Sequence, residues 1–283
     1  MEPPSGEALD ALLRAFLAED IGRRDVTTET TVPPGARARG DIVARSACVV
    51  SGLPLARRVL ELLEPGIEWG DEAAAGSRAG AGTRIARLAG AARPILTGER
   101  VALNLLQRMC GIATLTRRFV EAVAGTPCRI LDTRKTAPGL RPFDRAAVRD
   151  GGGVNHRYDL SEMVLVKDNH RRLSGGVARA VEAARAGAPG VEIEVEVETE
   201  AELTEAIAGG ADRILIDNQS PETVGRWAAI AHRAPRRPFV EASGNMRLDT
   251  VRAYAVAGAD ACSVGALTHS VVAADVSLEL FVE

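Results

Sequence analysis

The chain has 283 residues, 46% of them hydrophobic, and its 35 basic and 38 acidic side chains leave a formal net charge of -3. That balance excludes a global field able to recruit nucleic acid or an anionic membrane, and no apolar run approaches the ~20 residues of a membrane span. The four cysteines, at 48, 110, 128 and 262, have neither zinc-site spacing nor the density of a disulfide scaffold, so a reducing, cytoplasmic setting is expected.

The opening MEPPSGEALD is acidic and proline-bearing where an export signal would be basic and then apolar. Next, EALDALLRAFLAEDIG places Leu9, Leu12, Leu13, Phe16 and Leu17 at helical spacing. ARGDIVARSACVVSGLP and GTRIARLAGAARPIL read as strands between glycine and proline turns, with RRVLELLE as a helix between them. GAGT at 80–83 is expected to be a turn. Residues 1–110 are therefore expected to form a small mixed α/β domain. TGERVALNLLQRMCGIATLTRRFVEAV, as one or two helices, leads into a second domain over 111–270.

In that second region short apolar strands recur: CRIL at 128, MVLV at 163, VEIEV at 191, RILI at 213, PFVEA at 238 and ACSV at 261. The helix-forming intervals TEAELTEAIAGGA, SPETVGRWAAIA and RLDTVRAYAVAGA alternate with them, which predicts a parallel sheet, either doubly wound or closed into a barrel. Six strands are too few for a full eight-stranded barrel, so an incomplete barrel is the expected architecture. Polar residues follow the strands: Asp132–Lys135, Lys167–His170, Asp217-Asn218, Ser243-Gly244-Asn245 and Gly265–His269. Loops at the C-terminal edge of parallel strands are where such folds place ligands.

Within VEIEVEVETE, Glu192, Glu194, Glu196 and Glu198 share one face. At mid-array that face points inward, where carboxylates need cations or a metal. Arg134, Lys135, Arg157 and Lys167 are available as partners, and Asp217 could share a hard divalent ion with the acidic strand. A desolvated Lys167 could instead form a Schiff base, but three accompanying cations favour anion binding. SGNM at 243–246, before a helix expected near Arg247, together with Gly265 and His269, suits a phosphate. His156 and His170 are candidate site residues or loop hydrogen-bonders, and His232 is expected at the surface. Gly151–Gly153 are expected to let the loop after Arg134 and Lys135 fold over the site, with Arg141, Arg145 and Arg149 as supporting or surface charges.

Taken in order, DTRKTAPGLR, GGGVNHR, VLVKDNH, EVEVE, LIDN, EASGN and SVGALTHS resemble the quinolinate phosphoribosyltransferases. The resemblance extends upstream through EDIGRRDVTTETTVP, VVSGLP and TGERVALNLLQRMCGIATLTR. It implies an N-terminal α/β sandwich domain, an incomplete α/β barrel, and a tail, 271–283, returning to the first domain. It also implies a homodimer or larger homo-oligomer with shared active sites, a magnesium ion, and phosphoribosyl transfer from phosphoribosyl pyrophosphate to quinolinate with decarboxylation.

By the same resemblance, Arg134, Lys135, His156, Arg157 and Lys167 bind quinolinate, with Arg100 reaching in from the neighbouring subunit. Glu196 and Asp217, with Lys135 and Lys167, serve the ribose and pyrophosphate. Lys135, Glu196 and Asp217 act in catalysis, and the two acids also hold magnesium, directly or indirectly. Ser243, Gly244, Asn245, Gly265 and His269 bind the ribose phosphate. Three departures stand out: Arg24 replaces a common glycine, Phe143-Asp144-Arg145 lacks the usual basic-aromatic character, and Arg157-Tyr158-Asp159 adds a carboxylate beside a dianion pocket. Asp159 must then point outward or pair with Arg145 or Arg149. The alternatives are a paralogue for another pyridine or aromatic acid, including relatives associated with molybdenum transport, and a non-catalytic phosphosugar-binding protein.

Overall fold

A computed structural model describes residues 6–283. The first five residues of MEPPSGEALD, which carry part of the reading against an export signal, lie outside them. The elements are α1 (Gly6–Ile21), α2 (Val26–Thr31), β1 (Arg37–Ala44), β2 (Cys48–Val49), α3 (Leu53–Glu61), β3 (Glu68–Gly70), β4 (Arg78–Ala79), β5 (Thr83–Ala91) and α4 (Ala92–Ala122). After α4 come β6 (Arg129–Leu131), α5 (Arg141–Asp150), β7 (Val164–Val166), α6 (Asp168–Ser174), α7 (Val177–Gly187), β8 (Ile193–Val197), α8 (Glu200–Ala208) and β9 (Arg213–Asp217). The chain ends with α9 (Pro221–Arg233), β10 (Phe239–Ser243), α10 (Val251–Ala257), β11 (Ala261–Ser263), α11 (Ala266–His269) and β12 (Val276–Val282). Among the described residues, no helix is long and apolar enough to cross a membrane.

The chain divides into two compact units. One comprises the residues up to Arg117, Ala137–Gly152 and Val271–Glu283; the other comprises Arg118–Thr136 and Gly153–Ser270.

In the first unit, an antiparallel sheet runs in the order β12-β1-β5-β3, with Ala38 opposite Val282 and Ala44 opposite Val276. The α1 stripe buries Leu13 and Leu17. Each fully buried leucine contributes about 1.5–3 kcal/mol of burial free energy. The strand read into ARPIL is in fact the first turn of α4. Pro94 fits there, because first-turn amides have no intrahelical partner. Gly151 has a packing role that the expectation of a folding-over loop did not include. A Cβ on Gly151 would lie 2.5 Å from the Thr116 Cβ and 2.6 Å from the Ala113 carbonyl oxygen, so this glycine permits close packing of α5 on α4. Arg145 is buried and Asp144 forms a two-pronged ion pair with Arg108, at 2.7 and 2.8 Å.

In the second unit six parallel strands run in the order β6-β11-β10-β9-β8-β7. Each strand from β7 to β11 neighbours the next in sequence, and β6 closes onto β11. The ring stays open between β6 and β7, as an incomplete barrel requires. Capping matches the sequence signals: Thr199 and Glu202 form a capping box on α8, and the Ser220 hydroxyl accepts from the Thr223 amide at the start of α9. The register aligns Glu194 with Arg213, Glu196 with Leu215, and Asp217 with Ser243. Strand side chains alternate, so these residues stand on one face, the barrel interior.

Candidate active site

Interior residues at the C-terminal strand ends wall a cavity of about 340 Å³ in the second unit. Every strand position that reaches it has the same parity, Leu165 on β7, Glu196 on β8, Leu215 and Asp217 on β9, Glu241 and Ser243 on β10, and Ser263 on β11, and Lys167 directly after β7 continues it. The segment after β6 adds Thr133, Arg134 and Lys135, and the run before β7 adds His156 and Arg157. Four fixed cations thus share one small space with Glu196 and Asp217.

The charges are strained against one another, as expected of a site awaiting a ligand. Burial, and then the charge of Arg134, lower the Arg157 pKa below its ordinary value. Burial, and then the charge of Asp217, raise that of Glu196, against Lys167 and Arg171. Opposite charges nearby offset neither shift fully, so an anion beside the arginines and a cation beside the carboxylates would both be favoured. Lys167 is exposed and stands among cations, rather than in the apolar enclosure that a Schiff-base lysine needs.

The turns after β9 and β10 interlock. Asn218, Gly244 and Asn245 all have positive φ, at 51°, 99° and 45°. The Asn218 amide donates to the Ser243 carbonyl at 3.0 Å, and its side-chain nitrogen donates to Asp217 Oδ2 at 2.5 Å. A Cβ on Gly244 would fall 2.2 Å from Asn218 Oδ1, so only glycine fits. The helix expected from Arg247 starts instead at Val251, after a turn over 247–250, so its dipole does not directly back the SGNM loop. Gly265 and His269 are not among the residues walling the cavity, but Gly265 adjoins it: a Cβ there would meet His269 at 3.0 Å and the Lys135 side chain at 3.2 Å. The Thr268 hydroxyl donates to the Lys135 carbonyl at 2.9 Å, tying that loop to α11.

Four further sequence expectations resolve locally. Arg100 lies exposed on α4, in the first unit. His170 caps α6 by accepting from the Lys167 amide at 3.0 Å. His232 is half-buried rather than superficial and contacts Asp260 at 2.9 Å, because that carboxylate also accepts from the Val240 amide beneath α9. Asp159 is not a wall residue: one of its oxygens accepts from both the amide and the hydroxyl of Ser161, which hold its pKa down.

His156 and Glu241 of the wall belong to a largely buried group that the sequence alone did not bring together. Glu194 and Glu241, 0% and 1% exposed, both contact His156 Nε2, at 3.0 and 3.3 Å. Arg213 spans the same two acids, at 3.3 and 3.2 Å, and lies over the Phe239 ring at 4.2 Å. Glu194 therefore ion-pairs with Arg213 from β9, a cation not proposed for it, while its charge also acts on Arg157 among the loop cations. Three ligand-type atoms of His156, Glu194 and Glu241 fall within 4.8 Å, yet Arg213 already supplies the positive charge that these acids require. Burial opposes a charged imidazole, and the two acids outweigh it and raise the His156 pKa. The Arg157 amide acts the other way, donating to His156 Nδ1 at 2.7 Å, which requires a lone pair there. A contact that short decides the matter in this geometry: Nδ1 accepts and Nε2 carries the proton. Between the acids, burial and the charge of Glu241 push Glu194 up, whereas hydrogen bonds from His156 and Ser263 overcome burial and hold Glu241 down.

Comparison with known proteins agrees with this geometry over almost the full length. Residues 25–110 match the quinolinate phosphoribosyl transferase N-terminal domain, and residues 112–279 its C-terminal domain. A probable nicotinate-nucleotide pyrophosphorylase [carboxylating] of Synechocystis is 40% identical, covering 91% of this chain and 88% of that one. The nicotinate-nucleotide pyrophosphorylase [carboxylating] of Mycobacterium leprae is 41% identical, covering 96% and 97%. The crystal structure of NadC from Streptococcus pyogenes superposes with a TM-score of 0.94 at 36% identity, covering all of both chains.

Proposed function

The chain belongs to the quinolinate phosphoribosyl transferase family, and from this membership and the charge pattern of the cavity we infer the reaction it performs. It transfers the phosphoribosyl group of phosphoribosyl pyrophosphate to quinolinate with decarboxylation, giving nicotinate mononucleotide, pyrophosphate and carbon dioxide for de novo NAD synthesis. The observation that carries this reading is the cavity wall, where Arg134, Lys135, Arg157 and Lys167 stand with Glu196 and Asp217 around a space sized for small substrates.

Quinolinate carries two adjacent carboxylates. Arg134 and Arg157 hold them through paired hydrogen bonds, with Lys135, Lys167 and His156 completing the pocket. Ser243, Gly244 and Asn245, with Gly265 and His269, take the ribose phosphate. As the pyrophosphate departs, positive charge develops at C1 of the ribose, and Glu196 and Asp217 stabilise it while Lys135 neutralises the leaving group. The pyridine nitrogen attacks C1. The resulting pyridinium accepts the electron pair released as the 2-carboxylate leaves as carbon dioxide, and the ring carbon is then protonated. The protein contributes position and field.

Glu196 and Asp217 also fit a hard divalent cation: they are oxygen donors, and burial together with the charge of Asp217 raises Glu196. They would hold magnesium, directly or through water, and the ion when bound would neutralise pyrophosphate charge. The assembly is a homodimer or larger homo-oligomer in which Arg100, exposed on α4, completes the quinolinate pocket of a neighbouring copy. A cytoplasmic location is supported by four free, buried cysteines, of which Cys128 and Cys262 keep their sulfurs 3.7 Å apart. The test is incubation of the purified protein with quinolinate, phosphoribosyl pyrophosphate and magnesium. Pyrophosphate and nicotinate mononucleotide are expected together, and a folded protein that yields neither refutes the reading.

A further inference from the structure

We propose that Glu194, Glu241 and Arg213 are positioning residues for the dicarboxylate half of the cavity: they clamp the His156 ring, which in turn fixes the backbone that presents Arg157. The inference rests on the functional reading above and names the device that makes its anion pocket rigid.

The run 155–157 lies in neither helix nor strand, yet it carries two wall residues. A loop arginine left to itself loses rotamer freedom when it grips a ligand, and that loss subtracts from affinity. Here each residue of the run is tied to a buried acceptor or donor. Asn155 Nδ2 donates to Asp132 Oδ2 at 2.6 Å, and the His156 amide donates to the other Asp132 oxygen at 2.7 Å. The Arg157 amide donates to His156 Nδ1 at 2.7 Å, and Arg157 Nη1 donates to the Met163 carbonyl at 2.9 Å.

The imidazole is the hinge pin of this arrangement. It can accept from the Arg157 amide only while Nδ1 keeps its lone pair: Glu194 and Glu241 draw the ring proton to Nε2, and the Arg157 amide, pressed against Nδ1, keeps a second proton off it. Those acids, on β8 and β10, would repel one another if left alone. Arg213 stands between them on β9, donating through Nε to Glu194 Oε1 and through Nη2 to Glu241 Oε2, with its own plane fixed over Phe239. Three adjacent barrel strands thus determine the orientation of one ring, and the ring determines where the next residue's main chain and guanidinium begin. The three residues act through His156 and Arg157, as outer partners orient ligating groups in other sites.

The test combines kinetics with a signature of the ring. In Glu194→Ala the KM for quinolinate should rise at least ten-fold, while the KM for phosphoribosyl pyrophosphate stays within two-fold. Glu194→Gln, which keeps an oxygen for the place beside Nε2, should restore the quinolinate KM to within about three-fold of wild type. Nitrogen-15 NMR of the unmodified protein should show His156 as a single tautomer, with the proton on Nε2 and Nδ1 hydrogen-bonded as an acceptor, whether or not any variant folds. A proton found on Nδ1 overturns the proposal. So does a folded Glu194→Ala protein whose quinolinate KM is unchanged, or whose two KM values rise equally. If the wild type makes no product from quinolinate, the functional reading fails, whereas the NMR result still decides the clamp.

Discussion

Gly244→Ala places the proposed phosphate loop under a stress that can be sized. The residue sits at φ +99°, which an L side chain rarely adopts, and the strain costs about 1–3 kcal/mol. The new methyl would lie 2.2 Å from Asn218 Oδ1 and 2.8 Å from the Asn218 amide nitrogen. Rotating the Asn218 side chain away relieves only the first contact and gives up its hydrogen bond to Asp217; a hydrogen bond to a charged group contributes about 1.5–3 kcal/mol. The main chain between β9 and β10 must therefore shift. Taken together, a loss of about 2.5–6 kcal/mol is expected, and melting should fall by about 5–24 °C for a domain of this size. The KM for phosphoribosyl pyrophosphate should rise at least about ten-fold, equivalent to about 1.4 kcal/mol, with quinolinate binding nearly unchanged. Steady-state kinetics with each substrate varied in turn, alongside a thermal melt, provides the measurement. A folded variant with wild-type affinity for phosphoribosyl pyrophosphate would refute the assignment of this loop.

Asp144→Ala leaves Arg108 without its buried two-pronged partner, and a loss of about 3–5 kcal/mol is expected in denaturant unfolding; a loss below about 1 kcal/mol would contradict the role given to the pair. Glu196→Gln tests the crowded carboxylates through linkage. A group whose folded pKa is raised favours folding at low pH, and that advantage disappears as pH rises through the folded value, so ionised Glu196 opposes folding near neutrality. Without divalent ions, Glu196→Gln should melt higher than wild type at pH 7 but not at pH 4, and with substrates and magnesium its turnover should fall about 10²-fold. A variant no more stable at pH 7 would show that burial and the Asp217 charge together do not disfavour the ionised acid. Arg100→Ala should weaken quinolinate binding by calorimetry at least about ten-fold, which is about 1.4 kcal/mol, while sparing phosphoribosyl pyrophosphate; equal loss of both would exclude a shared pocket.

Much of the barrel could be read from the sequence because short apolar strands ending in polar residues leave few alternatives. Lys167, Glu196, Asp217 and Ser243 all follow from strand ends, and all wall the cavity. The buried quartet was missed, although a signal for it existed. Counting back by two from Asp217 passes Leu215 to Arg213, and from Ser243 reaches Glu241, so parity alone sends both inward. What parity cannot supply is the distance across the barrel that joins Arg213 to acids on two neighbouring strands and those acids to His156 from a loop. The glycines before Val154 were read only in part for a related reason: in sequence a glycine run looks flexible, whereas Gly151 is required by helix packing. The helix after β10 was placed too early because the turn at 247–250 has helix-like composition.

The most direct test of the account is a single turnover with quinolinate labelled in its 2-carboxylate, phosphoribosyl pyrophosphate and magnesium, and enzyme in excess. The account predicts labelled carbon dioxide, pyrophosphate and nicotinate mononucleotide in equal amounts, with no turnover when nicotinate replaces quinolinate. Pyrophosphate release without labelled carbon dioxide, or equal use of nicotinate, would contradict it.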